Sequence, residues 1–431
     1  MLDKNLFVKD FDATVAKIKR KVGDNEEIAT HLCGLSQLIL NRRETQTSLE
    51  SLRAQMNVNS KEFGMKAKTL SPEERAEQQS ALANLKVRIQ SLEASLSPLQ
   101  EQEAEILLHI PNIPSDSTPD GTGDSDNPVI RSWGDENAVK KPLTHDQMGE
   151  TTGVLSGEDG VKLSGSRFMI MRGDAAKLDR RLTNFFLDWH TARGYAEVSV
   201  PYIVNRTSMT GTGQLPKFEE DLFKVTAKLG GEDGFLIPTA EVPITNLYRG
   251  VILPEDHLPI RHVAFSPCFR AEAGSAGRDV KGLIRLHQFH KVELVSFCSP
   301  ANSLAELEKI TADAESVLKM LRLPYRVIER CTADLGFGGY KGYDIEVWMA
   351  GQGAYREISS ATLFWDFQSR RANIKYKTAA GKNEFLHTLN ASGLAVGRTV
   401  AAIMELYQNE SGGFDIPSVL RASWYHKFDR F

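Results

Sequence analysis

The chain lacks the signatures by which many protein classes declare themselves. Only four of its 431 residues are cysteine (Cys33, Cys268, Cys298 and Cys331), and none stands in a CxxC spacing. This argues against a zinc knuckle and against a disulfide framework. No run is long and apolar enough to span a bilayer, so no membrane association is expected. The start, Met1-Leu2-Asp3-Lys4-Asn5, carries an early acid and no apolar segment, so no secretory leader is expected and the expected compartment is the cytoplasm. A strong charge is also missing: 52 Lys and Arg against 56 Asp and Glu leave a formal net charge of -4. A nucleic-acid partner would therefore need a local basic surface. There is no internal repeat, and no βαβ series with a GxGxxG loop. What remains is an ordinary globular composition, 41% hydrophobic and 25% charged, in a chain long enough for two or more domains.

Residues 26–108 hold almost no glycine and one aromatic, Phe63. In their second half Leu82, Leu85, Ile89, Leu92, Leu96, Leu99 and Ile106 alternate steps of three and four, with Glu103 in the remaining slot. That is a heptad seam. The first half repeats it less cleanly through Ile28, His31, Leu35, Leu38, Arg42, Thr45, Leu49, Leu52 and Met56. Between the halves, Ser71 suits an N-cap, Pro72 the first helical position, and Glu73 and Glu74 the positive end of a helix dipole. The pattern predicts an antiparallel coiled-coil hairpin, with helices over about 26–66 and 72–108 and a kink at Pro98. Lys61, Lys66 and Lys68 gather at its tip, as a solvated turn or as a contact for a phosphate backbone. The expected domains are 1–110 with this arm, a Pro-, Gly- and Asp-rich linker or crossing segment over 111–135, and an α+β domain with an antiparallel sheet over 136–431.

Within that last part, Phe269-Arg270-Ala271-Glu272 and Arg285-Leu286-His287-Gln288-Phe289 through Glu293 flank a glycine-rich insert, 274–282. Even spacing on paired strands would turn Arg270, Glu272, Arg285, Phe289 and Glu293 to one pocket. Arginine forks suit phosphate, and a ring suits base stacking. Helices are expected over 182–191 and 303–321, and one starting at Ser392-Gly393 and ending near 407.

Four blocks give the chain a resemblance to bacterial-type seryl-tRNA synthetases, of class II. They are Gly211-Thr212-Gly213-Gln214-Leu215-Pro216-Lys217-Phe218, Pro238-Thr239-Ala240-Glu241, the run from Phe269 to Glu293, and Leu389-Asn390-Ala391-Ser392-Gly393-Leu394-Ala395-Val396-Gly397-Arg398. The resemblance implies ATP-dependent activation of L-serine and transfer to serine tRNA, with selenocysteine tRNA a further acceptor. It implies a homodimer with Pro201 at its interface, and Mg2+ with no zinc. It implies an arm that reads the tRNA by shape and backbone. Arg270, Arg398 and Glu357 would be catalytic. Arg270, Ala271, Glu272, Arg285, Phe289, Glu357, Ile358, Ser359, Ser360 and Arg398 would bind ATP. Thr239, Ala240, Glu241, Arg270, Glu293, Asn390 and Ser392 would bind serine, with Thr239 and Glu241 on one strand face. Glu357 and Ser360 would hold the metal, which requires a bulge between them, since a regular strand sends them to opposite faces. His287, His290 and Cys268 are expected to be structural.

Two stretches depart from the family pattern. Ala361-Thr362-Leu363 replaces Cys-Ser-Asn after Ser359-Ser360, and Gly338-Gly339-Tyr340-Lys341-Gly342 precedes Tyr343-Asp344. These changes bear on amino-acid specificity or rate. They leave three functional expectations: a working synthetase, either the housekeeping enzyme or a second, specialised or resistant copy; a paralogue activating serine for a biosynthetic or carrier-protein acceptor; and an inactive tRNA-binding scaffold. The full-length arm argues against the second, and the retained arginines and acids against the third.

Overall fold

A computed structural model describes residues 1–66, 68–136, 142–273 and 282–424, with residues 422–424 described by their backbone alone. It divides into two compact units, Leu2–Pro111 and Asn112–Phe431 together with Met1.

The first unit is helical. Three short helices, α1 (Leu6–Lys9), α2 (Phe11–Val22) and α3 (Glu26–Leu32), precede the long α4 (Leu35–Lys66) and α5 (Pro72–His109). At about 1.5 Å per residue the long helices extend roughly 48 and 57 Å. The single first helix expected from residue 26 is broken at Cys33-Gly34, where Gly34 has φ +73°. The second starts as expected: Ser71 Oγ accepts from Glu74 N at 3.2 Å and Glu74 Oε2 accepts from Ser71 N at 2.9 Å. This reciprocal capping box satisfies two amides that helix geometry leaves open. Pro98 lies inside α5, which continues to His109. Arg42 pairs with Glu103 at 3.1 Å and Arg53 with Glu93 at 2.7 Å, so the helices run antiparallel. The polar seam positions are thus filled by a matched pair. The seam shifts by one residue near its base, where Ile39 instead of Leu38 is fully buried.

The second unit is built on an eight-stranded sheet. Its strands are β1 (Val129–Trp133), β2 (Ala196–Glu197), β3 (Ile260–Phe269), β4 (Gln288–Cys298), β5 (Tyr325–Glu329), β6 (Lys341–Met349), β7 (Ala354–Trp365) and β8 (His387–Ala395). The spatial order is β1-β5-β6-β7-β8-β4-β3-β2. All neighbours are antiparallel except the edge pair β2–β3, which is parallel. The segment 111–135 contributes edge strand β1, and Asn112 Nδ2 donates to the carbonyls of Gly338 and Phe364. Extended backbone rich in proline here serves the sheet margin, where missing ladder donors cost least.

Period-2 alternation on β4 divides the molecule. Val292, Leu294 and Cys298 enter a core closed by the helices Gly173–Thr191, Ser303–Leu321 and Val396–Leu406. On the opposite face, Val295 and Phe297 join a second cluster with Ala240, Ile244 and Ile374. Phe289 and Lys291, nearer the start of β4, share that second face and line a cleft. Helix Ser303–Leu321 has its expected bounds. Helix Val396–Leu406 begins four residues later than the expected Ser392, because Ser392 belongs to β8.

Candidate active site

The cleft has a volume of about 500 Å³. It is lined by Thr239, Glu241, Arg270, Glu272, Arg285, Phe289, Glu357, Ile358, Ser360, Asn390, Ser392 and Arg398 among the expected residues. Arg270 and Glu272 do not share a strand face, because β3 ends at Phe269 and Glu272 has φ +52°. Arg285 likewise precedes β4. The loops that carry them are tied down by backbone bonds. Arg270 N donates to the His287 carbonyl at 2.9 Å, and Ala271 N and Ala273 N donate to the Asp221 carbonyl and carboxylate. Arg285 Nε then stands 3.4 Å from Glu272 Oε2, and the Arg270 guanidinium 5.2 Å from the Phe289 ring. The glycine-rich insert lies outside the described residues except Gly282.

The conflict between Glu357 and Ser360 is resolved by a register shift. Ser359 pairs with Ile345 and Glu357 with Glu346, so Ile358 is an extra residue on β7. This bulge re-aims the strand, and both Glu357 and Ser360 line the cleft. Burial alone would push the Glu357 carboxyl up, but Arg398, Arg270, Arg330 and Lys291 together hold it below its ordinary value. Its side chain is half accessible because the cleft opens over it. Arg398 Nη1 is 3.6 Å from Glu357 Oε2, and its Nε donates to the Ile284 carbonyl at 3.1 Å. Asp344, opposite Ser360 on β6, is driven the other way: burial raises its carboxyl to about 7 against the charge of Arg330. A carboxylate and a hydroxyl on one wall form a hard-oxygen donor set that fits Mg2+.

A polar pocket closes the other end. Thr239 and Glu241 are not on a strand: Glu241 opens the short helix Glu241–Asn246, and its backbone N donates to Thr239 Oγ1 at 3.2 Å. Asn390 Nδ2 bridges two acids, Glu241 Oε2 at 2.9 Å and Glu293 Oε1 at 3.0 Å. Lys291 Nζ lies 2.5 Å from Glu293 Oε2 and donates to Thr239 Oγ1 at 2.9 Å. Gln368 Nε2 donates to Glu241 Oε1 at 2.6 Å. Burial, then the neighbouring Glu293 charge, lifts the Glu241 carboxyl to about 7. The pocket thus holds two acids close to Lys291, with the Arg270 charge also acting on Glu241.

Four expected residues support the cleft without lining it. Glu293 is fully buried behind Asn390, and Ala240 is buried. Ala271 acts through its backbone amide, and Ser359 Oγ donates to the Ser392 carbonyl at 2.6 Å. Sequence reading missed Lys291 and Gln368. Lys291 was within reach, since its odd number places it with Phe289 and Glu293 on β4. Gln368 was not, because it comes from the separate helix Phe367–Ala372. His290 bonds Asp179 at 2.9 Å and Cys268 is fully buried. The departing residues stay out of the cleft: Ala361 and Leu363 are fully buried, and Thr362 Oγ1 accepts from Arg330 Nη2 at 2.5 Å. A Cβ on Gly342 would stand 2.0 Å from that same Nη2, so Gly342 and Thr362 together make room for one arginine.

Residues 1–114 match the family model of the seryl-tRNA synthetase N-terminal domain, and residues 223–407 that of the tRNA synthetase class II core domain (G, H, P, S and T). The serine–tRNA ligase of Thermodesulfovibrio yellowstonii is 52% identical over 376 residues, 86% of this chain and 88% of that one. That of Pelobacter propionicus is 48% identical over 424 residues, 98% of each chain. The crystal structure of seryl-tRNA synthetase from Pyrococcus horikoshii complexed with ATP aligns with a TM-score of 0.87 at 34% identity, over 98% of both chains. A Giardia lamblia prolyl-tRNA synthetase shares the fold alone, with a TM-score of 0.56 at 16% identity over 65% of this chain and 57% of that one. With two family models in order along the chain and relatives matched over nearly its full length, the chain belongs to the seryl-tRNA synthetases, class II ligases that form aminoacyl-tRNA.

Proposed function

We propose that the chain activates L-serine with ATP and transfers the seryl group to the 3' end of serine tRNA. The observation that carries this reading is the Asn390 bridge between Glu241 and Glu293, set in the same cleft as three arginines. In the first step the serine carboxylate attacks the α-phosphorus, the bond to the bridging β-phosphate oxygen breaks, and pyrophosphate leaves. Negative charge is redistributed over phosphate oxygens, so catalysis rests on positioning and fixed cations. Arg270 would hold the α-phosphate and the serine carboxylate, and Arg285 and Arg398 the β- and γ-phosphates. Phe289 would stack on adenine, on the face away from Arg270, with Arg398 covering the base from the far side. Glu272 would accept from the exocyclic amine. In the second step a ribose hydroxyl of the tRNA end attacks the seryl carbonyl and AMP leaves.

Glu241 and Thr239 would take the serine ammonium, and Asn390, Glu293 and Ser392 the side-chain hydroxyl. Alanine would leave these buried groups unpaired, which discriminates strongly. Glu357 and Ser360 would hold Mg2+, which when bound neutralises phosphate charge. The arm would meet the tRNA acceptor through shape and phosphate contacts, with steep salt dependence. A homodimer is the expected assembly. Exposed Tyr202 and Ile203 beside Pro201 support an apolar contact there. Among the described residues no helix is long and apolar enough to cross a membrane.

Serine-dependent ATP–pyrophosphate exchange, with threonine and alanine as controls, tests the first step. Absence of exchange would remove this reading. Exchange without charging of serine tRNA would favour another acceptor.

A further inference from the structure

The N-terminal unit carries a second group of ligand-type side chains, far along the chain from the cleft residues. Glu27 and His31 lie one turn apart on α3, and Glu105 and His109 one turn apart on α5. A four-residue step puts both members of each pair on one helix face. His109 Nε2 is 3.1 Å from Glu105 Oε1, and His31 Nε2 is 4.0 Å from Glu27 Oε1. The two pairs meet ring to ring: the imidazole centroids are 4.7 Å apart and their planes 16° from parallel. Ligand atoms of Glu27, His31 and His109 all lie within 4.8 Å of one another. Each imidazole is one-quarter accessible, while both carboxylates are largely exposed.

An isolated Glu–His pair at this spacing is a common surface feature of little weight. Two such pairs converging from different helices are a different object. Bonds of about 2.0–2.2 Å require the two imidazoles to turn out of their stacked, near-parallel arrangement so that their in-plane nitrogen lone pairs meet at one ion, with the carboxylates following. Imidazole with carboxylate suits zinc and its neighbours in the transition series, whereas Mg2+ and Ca2+ prefer oxygen alone. We propose that His31 and His109, completed by Glu27 and Glu105, bind a divalent transition ion, zinc foremost. The ion would tie α3 to α5 at the base of the hairpin, closing the chain segment that contains both long helices. The cysteine spacing argued only against a zinc knuckle, and the family resemblance implied no zinc; this site uses no cysteine.

The test titrates the full-length protein with Zn2+ by calorimetry in excess Mg2+, which occupies hard-oxygen sites. His31→Gln, His109→Gln and Cys33→Ser variants are run alongside, because Cys33 is an exposed thiol two residues from His31. One equivalent is expected for the parent chain, at least tenfold weaker in each histidine variant and unchanged in Cys33→Ser. Co2+ in place of Zn2+ should give a visible absorption band that both histidine variants lose. Serine-dependent pyrophosphate exchange, which uses none of these residues, checks that the variants are folded. Absence of stoichiometric uptake, or parental binding by either histidine variant, overturns the proposal. So does loss of binding in Cys33→Ser, which would move the ion to the thiol.

Discussion

The arm and the cleft both bury acidic side chains, and they treat them in opposite ways. In the arm, Glu103 is met by Arg42 at 3.1 Å and Lys4 at 3.0 Å, one acid between two bases. In the cleft, Glu241 and Glu293 share Asn390 and Lys291, and the Arg270 charge reaches Glu241 as well. A buried acid with matched bases holds helices in register. Burial, and then the neighbouring Glu293 charge, raises the Glu241 carboxyl, which suits a positively charged ligand. The arm is thus balanced for structure and the cleft is unbalanced for binding.

The strongest way to break this comparison is at the cationic wall. Arg398→Ala should lower pyrophosphate exchange by roughly 10²–10³-fold, the scale of losing one preorganised donor, while the unfolding midpoint stays put. Near-parental exchange would refute the assigned role. Next comes the arm. Glu103→Ala leaves Arg42 partly buried without its partner, and should destabilise the N-terminal unit by about 2 kcal/mol in a denaturant titration. An unchanged midpoint would mean that the seam does not depend on this ion pair.

A third test sharpens the imbalance itself. Glu241 is raised from an ordinary 4.5 to about 7, so below that pH it holds a proton that a serine ammonium must displace. Serine affinity should fall as pH drops below about 7, by up to about tenfold per unit. The same shift works against stability as pH rises from about 4.5 to 7, because the unfolded chain ionises first. The KM for serine, measured across that range, should lose its pH dependence in Glu241→Gln; a persistent slope would assign the titration elsewhere. The smallest effect is expected at the arm tip. Ser71→Ala removes half of the capping box and should cost about 1 kcal/mol in helix stability, with exchange unaltered.

The two regions also differed in how far they could be read from sequence. Heptad spacing needs only neighbouring turns, so the hairpin, its cap at Ser71 and the polar seam position Glu103 were all visible. The break at Gly34 and the shift to Ile39 were not, because a looser seam in the first helix tolerates more than one register. In the cleft, residue identities were legible through the family blocks, and parity on β4 would have yielded Lys291 as well. The reading of Arg270 with Glu272, and of Thr239 with Glu241, as strand pairs failed for one reason. Backbone bonds from Asp221 and His287, and the start of a short helix at Glu241, override local alternation.

By itself the sequence determined the helical arm, the class of chemistry and most of the side chains that line the cleft, since these depend on local periodicity and on residue types in order. Only the tertiary structure decided how those side chains converge. The extra residue Ile358 turns Glu357 and Ser360 to one wall, Gln368 arrives from another helix, and Asn390 joins two acids more than fifty positions apart. Such convergence is set by sheet register and by which elements pack together, and neither leaves a periodic trace in the chain.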